Sequence, residues 1–188
     1  MDVTLRQSSR ALQLFLLAAA SVIACKDSSS RIGKAESATA LPSDSVVSWA
    51  RGIDSLADST HAREFEFPPR SAEGGKGRLY ELSDSAVRVD VEDLGEMGRV
   101  RQRFYARATA LRLAVRIDER YDQPMSGNVV HTSVDSTWFR VDTAVRWRDS
   151  SGVVRVARDS LLASHGREVL AEYLWSRRAA VPSGQPRR

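Results

Sequence analysis

Seven arginines in the middle of the chain form its largest set of residues with one chemistry. Four belong to one candidate strand and three to the next: Arg99, Arg101, Arg103 and Arg107, then Arg112, Arg116 and Arg120. We expect a hairpin to bring them onto one polar sheet face, with Tyr105 among them. A guanidinium binds carboxylate and phosphate through paired hydrogen bonds, so this face predicts a site for lipid phosphates, an acidic glycan or an acidic protein.

The alternative for the same face is a solvated surface on which acids offset the arginines. The acids that would do so are Asp90, Glu92, Asp118 and Asp142. Asp90, Glu92 and Asp93 could also attract a cation. They lack the acidic loop of a calcium site, and we expect them to pair with arginines across strands.

His131, Asp135 and Ser136 lie close together in or beside segment 121–135, the longest predicted internal loop. A Ser–His–Asp set carries out acyl transfer only when it is arranged around an oxyanion hole. The chain has no Gly-x-Ser-x-Gly elbow to present such a serine. We therefore interpret the segment as a connection that could contact a ligand.

The other two histidines give weaker indications of chemistry. His61 precedes Glu64 and Glu66, a grouping that could bind a metal weakly or transfer protons. A solvated strand entry is the interpretation we favour, because isolated groupings of this kind seldom form sites. His165 falls on the apolar stripe of a predicted helix, and we expect it to pack there. The sequence predicts no catalytic residue, metal or cofactor.

Two helices and a run of strands must position these residues. Apolar residues at helical spacing, Trp49 among them, predict a helix over 44–59, capped by Ser43 or Asp44. A similar stripe predicts a second helix over 159–178, capped by Asp159 or Ser160. We expect Trp49 to pack in the core.

Period-2 alternation between the helices predicts a β-meander, clearest over Leu111–Asp118. The expected fold class is α+β: an antiparallel sheet of six or seven strands. Its apolar face is expected to be covered by an N-terminal and a C-terminal helix. Segment 71–77 is glycine-rich without the spacing of a phosphate-binding loop, and it predicts a flexible connection.

Composition restricts the function further. The chain has 188 residues, with 28 Lys and Arg against 24 Asp and Glu. A modest net charge with interspersed signs argues against nucleic acid as a partner. Cys25 is the single cysteine, so no disulfide can form within the chain.

The beginning of the chain predicts export. Arg6 and Arg10 precede an apolar run from Ala11 to Ala24, which is shorter than the ~20 residues of a transmembrane helix. Its end, Val22-Ile23-Ala24-Cys25, resembles the lipobox of bacterial lipoproteins. The resemblance implies cleavage before Cys25 and lipidation of its Sγ and new amino terminus. Two or more acyl chains, at about 0.8 kcal/mol per buried CH₂, hold a domain at a bilayer.

The expected organisation follows from that signal. Residues 1–24 are the signal peptide, 25–43 the lipidated cysteine and a flexible tether, 44–178 one globular domain, and 179–188 a disordered tail. In lipoproteins of enteric-type bacteria, Asp directly after the cysteine retains the protein at the inner membrane. Here Lys26 follows and Asp27 comes one place later. We therefore expect the outer membrane, facing the periplasm.

Three functional hypotheses remain open on the sequence. The first is a non-enzymatic envelope lipoprotein that binds an envelope protein or acidic glycan through the sheet face or the 121–135 loop. The second is a hydrolase of envelope polymers that uses Glu64, Glu66 or His131. The third is a periplasmic carrier or chaperone with an apolar groove between sheet and helices. The repeated hairpins are similar in style to those of uncharacterised bacterial lipoproteins.

Lipidation can be tested at one residue. Cys25→Ser should abolish metabolic labelling by palmitate, because the acylated sulfur is lost. Ser29→Ala, four residues along, should leave labelling unchanged. An unlabelled wild-type protein of the cleaved length would indicate an ordinary secretory signal. An unlabelled wild-type protein of the uncleaved length in the membrane fraction would indicate a retained anchor.

Overall fold

A computed structural model describes residues 43–67 and 73–181. These residues belong to one compact unit. The predicted signal peptide, Cys25, the predicted tether up to residue 42 and residues 182–188 of the predicted tail lie outside the described residues. Neither described helix is both long and apolar enough to cross a membrane.

In the described part of the chain, two helices flank eight strands. Helix α1 spans Ser43–Ala57 and helix α2 spans Ser160–Ala179. The strands are β1 (Arg63–Phe67), β2 (Gly75–Glu81), β3 (Ala86–Gly95), β4 (Gly98–Arg107), β5 (Ala110–Tyr121), β6 (Val129–Arg140), β7 (Thr143–Arg148) and β8 (Val154–Val156). Each strand pairs antiparallel with the next, in the order β1 to β8. The predicted α+β meander is therefore confirmed.

Within the described residues the sheet has eight strands, more than the six or seven expected. Strands β6 and β7 are joined by a tight turn at Val141 and Asp142. Both turn residues have positive φ angles, 47° and 59°. Tight hairpin turns of this kind usually carry glycine or asparagine, and this turn carries neither.

The helices cover opposite faces of the sheet, which corrects the expectation that both lie on one apolar face. On the α2 face, Val89, Phe104 and Phe139 form a core with Tyr173 of α2. On the α1 face, a second core joins residues of α1 to the sheet: Val46, Ala50, Ile53, Ala86, Tyr105, Leu113 and Trp138. The four successive residues from Ala86 to Val89 are all buried, as expected of a strand covered on both sides.

Strand β6 begins at Val129, so the predicted loop over 121–135 is wrong for most of its length. Its first half is exposed on both faces, and Val130 and Val134 are among its exposed residues. A strand without a buried face has no apolar alternation to reveal it. The connection between β5 and β6 is therefore confined to residues 122–128.

Strand β2 starts at Gly75, inside the segment predicted as a glycine-rich connection. Gly77 pairs with Phe65 of β1, and a Cβ on Gly77 would lie 2.1 Å from the Phe65 ring. The glycine gives the aromatic ring room to lie across the neighbouring strand.

Helix α2 is capped as predicted. The Asp159 side chain accepts a hydrogen bond of 2.8 Å from the backbone N–H of Leu161. The helix runs one residue past the predicted boundary, to Ala179, and Ala180 is buried in the α2-face core. The first residues assigned to a disordered tail therefore belong to the folded domain.

Gly166 sets how closely α2 approaches the sheet. A Cβ at this position would lie 2.3 Å from Cβ of Ala144 on β7, so Gly166→Ala should destabilise the domain by about 1–3 kcal/mol. Gly52 in α1 has nothing within 4 Å of such a Cβ, and Gly52→Ala should stabilise by up to ~1 kcal/mol. Chemical denaturation of both variants measures the difference. Equal effects would contradict the close contact.

Candidate functional site

The seven arginines divide between the two faces of the sheet, which corrects the expected single cluster. In the β4–β5 hairpin, Arg101 pairs with Ile117 and Arg103 with Val115, while Arg116 lies opposite Gln102. Odd-numbered residues of β4 thus share a face with odd-numbered residues of β5. Arg99, Arg101, Arg103 and Arg107 lie on the α1 face. Arg116 and Arg120 lie on the α2 face, and Arg112 falls at the bulge near the turn.

Stripes of alternating charge cover the α1 face from β1 to β4. The charged side chains on this face are mostly of one sign within each strand: Glu64 and Glu66 from β1, Lys76 and Arg78 from β2, Asp90 and Glu92 from β3, and Arg99, Arg101 and Arg103 from β4. The register sets acids beside bases, and several pairs are in contact. The ion pairs include Arg78–Glu64 at 3.1 Å, Lys76–Glu92 at 3.2 Å and Arg103–Asp90 at 3.4 Å. The offset of arginines by acids, including Asp90 and Glu92, is therefore present on this face.

A buried guanidinium connects these stripes to α1. The Arg88 side chain is 7% exposed, and its Nη1 donates to Asp54 Oδ1 of α1 at 3.1 Å. It also hydrogen-bonds Asp90 on its own strand. The hydroxyl of Tyr105 donates to Asp54 Oδ1 at 2.9 Å. Burial raises the pKa of Tyr105 to about 12, so the phenol keeps the proton it donates.

A cleft of about 730 Å³ lies on the α1 face beyond the end of α1. The charged stripes line it, and Val115 and Ile117 of β5 add apolar surface. Arg101 donates to Glu119 through Nη2, while its Nε is buried and without a hydrogen-bond partner among the described residues. We call this cleft, with its charged stripes and apolar side, the α1-face cleft.

Glu119 fixes Arg101, which lines the cleft, and Arg99 two residues away on the same strand. Its side chain is 9% exposed and accepts hydrogen bonds from Arg99 and Arg101. Burial by itself would raise the pKa of Glu119, but the hydrogen bonds and charges of the two arginines outweigh it and lower the pKa. The carboxylate therefore stays ionised and holds both guanidinium groups in place.

The other candidate residues are not assembled into a catalytic set. Asp135 and Ser136 are consecutive on β6 and point to opposite faces, while His131 pairs with Arg120 near the far end of the strand. Glu64 is paired with Arg78 on the α1 face. Across the described ranges, no three His, Cys, Asp or Glu residues are grouped so that they could hold a metal ion.

A second polar cavity, of about 230 Å³, lies between α2 and the sheet and was missed from the sequence. His165 of α2 lines it as predicted on the packed side of the helix, with its Nε2 2.9 Å from Thr137 Oγ1. The imidazole stacks on Trp147, with ring centroids 4.0 Å apart. Burial lowers the pKa of His165, and Asp135 and Glu168 oppose that shift without reversing it. We call this space the His165 cavity.

The residues of the His165 cavity are far apart in the chain. Gln102 of β4 donates to Glu172 of α2 at 2.7 Å across 70 positions. Such a grouping has no short motif, and the polar residues at alternate positions of β6 were its only sequence signal. Comparisons of the chain with protein-family models, curated proteins and solved structures gave no match.

Proposed function

We propose that the chain is a lipid-anchored protein of the bacterial envelope, held at the outer membrane facing the periplasm, and that it binds a partner without catalysis. Support for the anchor comes from the basic start, the short apolar run and the Val22-Ile23-Ala24-Cys25 motif. Support for binding comes from the α1-face cleft.

The observation that carries the binding proposal is the fixed arrangement of charge around the α1-face cleft. Glu119 holds Arg99 and Arg101, and Asp90 holds Arg103, so these guanidinium groups need little ordering when a ligand arrives. Groups already fixed in place lose less side-chain entropy on binding than mobile ones. The unpartnered Nε of Arg101 remains as a donor for an incoming oxygen.

The charge pattern favours a protein segment over an acidic glycan as the ligand. Stripes of acids alternate with the arginines, so a polyanion would meet repulsion at β1 and β3. A peptide can place a carboxylate near Arg101 and an apolar side chain on Val115 and Ile117. The proposed partner is therefore an envelope protein with a segment of mixed acidic and apolar residues. Of the seven arginines predicted to form one polyanion-binding face, the proposed site keeps Arg99, Arg101 and Arg103.

The two alternative hypotheses receive less support. A hydrolase was expected to use Glu64, Glu66 or His131, and these residues do not form one set. The two glutamates line the α1-face cleft, whereas His131 on β6 is outside its lining. A carrier would need an apolar groove under a helix, whereas buried side chains such as Ile53 fill the α1 contact, and the His165 cavity under α2 has polar and charged groups in its lining.

Photo-crosslinking in the native cell tests the proposal. A photoreactive residue at Ile117, in the cleft, should give one discrete adduct whose mass identifies a protein. The same residue at Arg167, exposed on α2, should give none. Arg101→Gln should reduce the Ile117 adduct by about tenfold or more, because charge-assisted hydrogen bonds contribute roughly 1.5–3 kcal/mol.

Arg120→Gln provides the matched control for Arg101→Gln. It removes an arginine from the opposite face and should leave the Ile117 adduct unchanged. An adduct equally strong in both variants would contradict the role of Arg101. No adduct at Ile117 would overturn the cleft as a partner site, and a glycan adduct would overturn the choice of a protein partner.

A further inference from the structure

Two polar atoms in the His165 cavity lack partners within the described chain. Asp135 Oδ1 and Trp147 Nε1 are both fully buried and make no hydrogen bond. One is an acceptor and the other a donor, and both residues line the cavity. Buried polar groups without partners cost free energy, so such a pair indicates a place where a polar molecule binds.

The neighbouring polar groups are already fixed. Thr137, 2% exposed, holds His165 Nε2, and Gln102, 7% exposed, holds Glu172. The Trp147 ring stacks on His165, and the Arg155 guanidinium lies over the ring at 4.7 Å. The indole edge, with its N–H, is therefore the part of Trp147 that can hydrogen-bond a ligand.

Charge in the cavity favours a cation. Three carboxylates line it: those of Asp135, Glu168 and Glu172. The arginine of the lining, Arg116, directs Nε and Nη2 to Asp118, each at 2.9 Å, and it lies opposite Asp135 in the β5–β6 pairing, so it offsets part of this charge. His165 adds no compensating charge at neutral pH, since burial lowers its pKa. A positively charged group would relieve the excess of negative charge.

Shape and lining narrow the ligand further. The volume of about 230 Å³ is below the roughly 300–1,000 Å³ of sites for drug-sized molecules, which limits the occupant to a small compound. Phe104, Ala114 and Val169 provide apolar contact for a carbon frame. The Trp147 N–H requires an acceptor, such as a hydroxyl oxygen.

We infer that the His165 cavity binds a small primary ammonium compound that also carries a hydroxyl group, such as an amino alcohol or amino sugar. The ammonium group donates to Asp135 Oδ1, near the carboxylates of Glu168 and Glu172. The hydroxyl oxygen accepts from Trp147 Nε1. This site is on the α2 face and is separate from the α1-face cleft, so either proposal can fail alone.

The test is an NMR titration of the full-length protein in neutral detergent, following the Trp147 indole N–H signal assigned through Trp147→Phe. Ethanolamine and glucosamine should each shift the signal saturably. Ethylene glycol and glucose, which lack the ammonium group, should not. No saturable shift with either amine, or equal shifts with the uncharged compounds, would overturn the proposal.

Variants separate this site from general effects of charge. Asp135→Asn should weaken amine binding at least about tenfold, because a charge-assisted hydrogen bond is lost. Glu168→Gln, at an exposed helix position, should weaken it more modestly and serves if Asp135→Asn fails to fold. Glu96→Gln, in the exposed β3–β4 turn, should leave affinity unchanged. Unaltered affinity in both cavity variants would overturn the assignment.

Discussion

The contact between α1 and the charged face of the sheet depends on one buried cation. Arg88 lies on β3 with its side chain 7% exposed, and removal of a guanidinium from water costs several kcal/mol unless acids compensate it. Asp90 provides one carboxylate from the same strand and Asp54 provides the other from α1. Because Asp54 belongs to the helix, its share of this compensation is present only when α1 lies in its observed position.

The polar contacts around Asp54 continue across the sheet. Tyr105 donates to the same Asp54, and Arg103 approaches both Asp54, at 3.5 Å, and Asp90. From there the charged stripes continue to β1, where exposed pairs such as Arg78–Glu64 contribute little stability of their own. These pairs instead favour the observed register of the strands, since a shift of β2 by one residue would move Lys76 and Arg78 to the other face. The α1-face cleft follows from that register.

The α1 and α2 faces of the sheet differ in which polar groups are available to bind a ligand. On the α1 face, bases have acids beside them, and the open cleft offers prearranged donors next to apolar side chains. On the α2 face, the His165 cavity holds fewer groups, but two of its buried atoms have no partner in the described chain. The open α1-face cleft suits an extended protein segment, and the enclosed His165 cavity suits a small molecule.

Local patterns in the sequence predicted the helices, the Asp159 cap and the meander because each depends on neighbouring residues. The faces of the arginines were not predicted, since hairpin pairing decides whether Arg116 lies beside Arg101 or behind it. Likewise β6 was missed because its exposed half carries no apolar alternation. The succession of Ala86, Val87, Arg88 and Val89 contained a signal for two covered faces. The His165 cavity, assembled from distant segments, had no signal beyond the alternating polar residues of β6.

A double-mutant cycle between Arg88 and Asp54, read by chemical denaturation, tests most directly whether this pair holds α1 to the sheet. Arg88→Met, Asp54→Ala and the double variant should show a coupling energy of about 1 kcal/mol or more, since the two groups are in contact and partly buried. The same cycle at the exposed Arg78–Glu64 pair should give a coupling below ~0.5 kcal/mol. Equal, small coupling in both cycles would contradict the dependence of the α1 contact on Arg88.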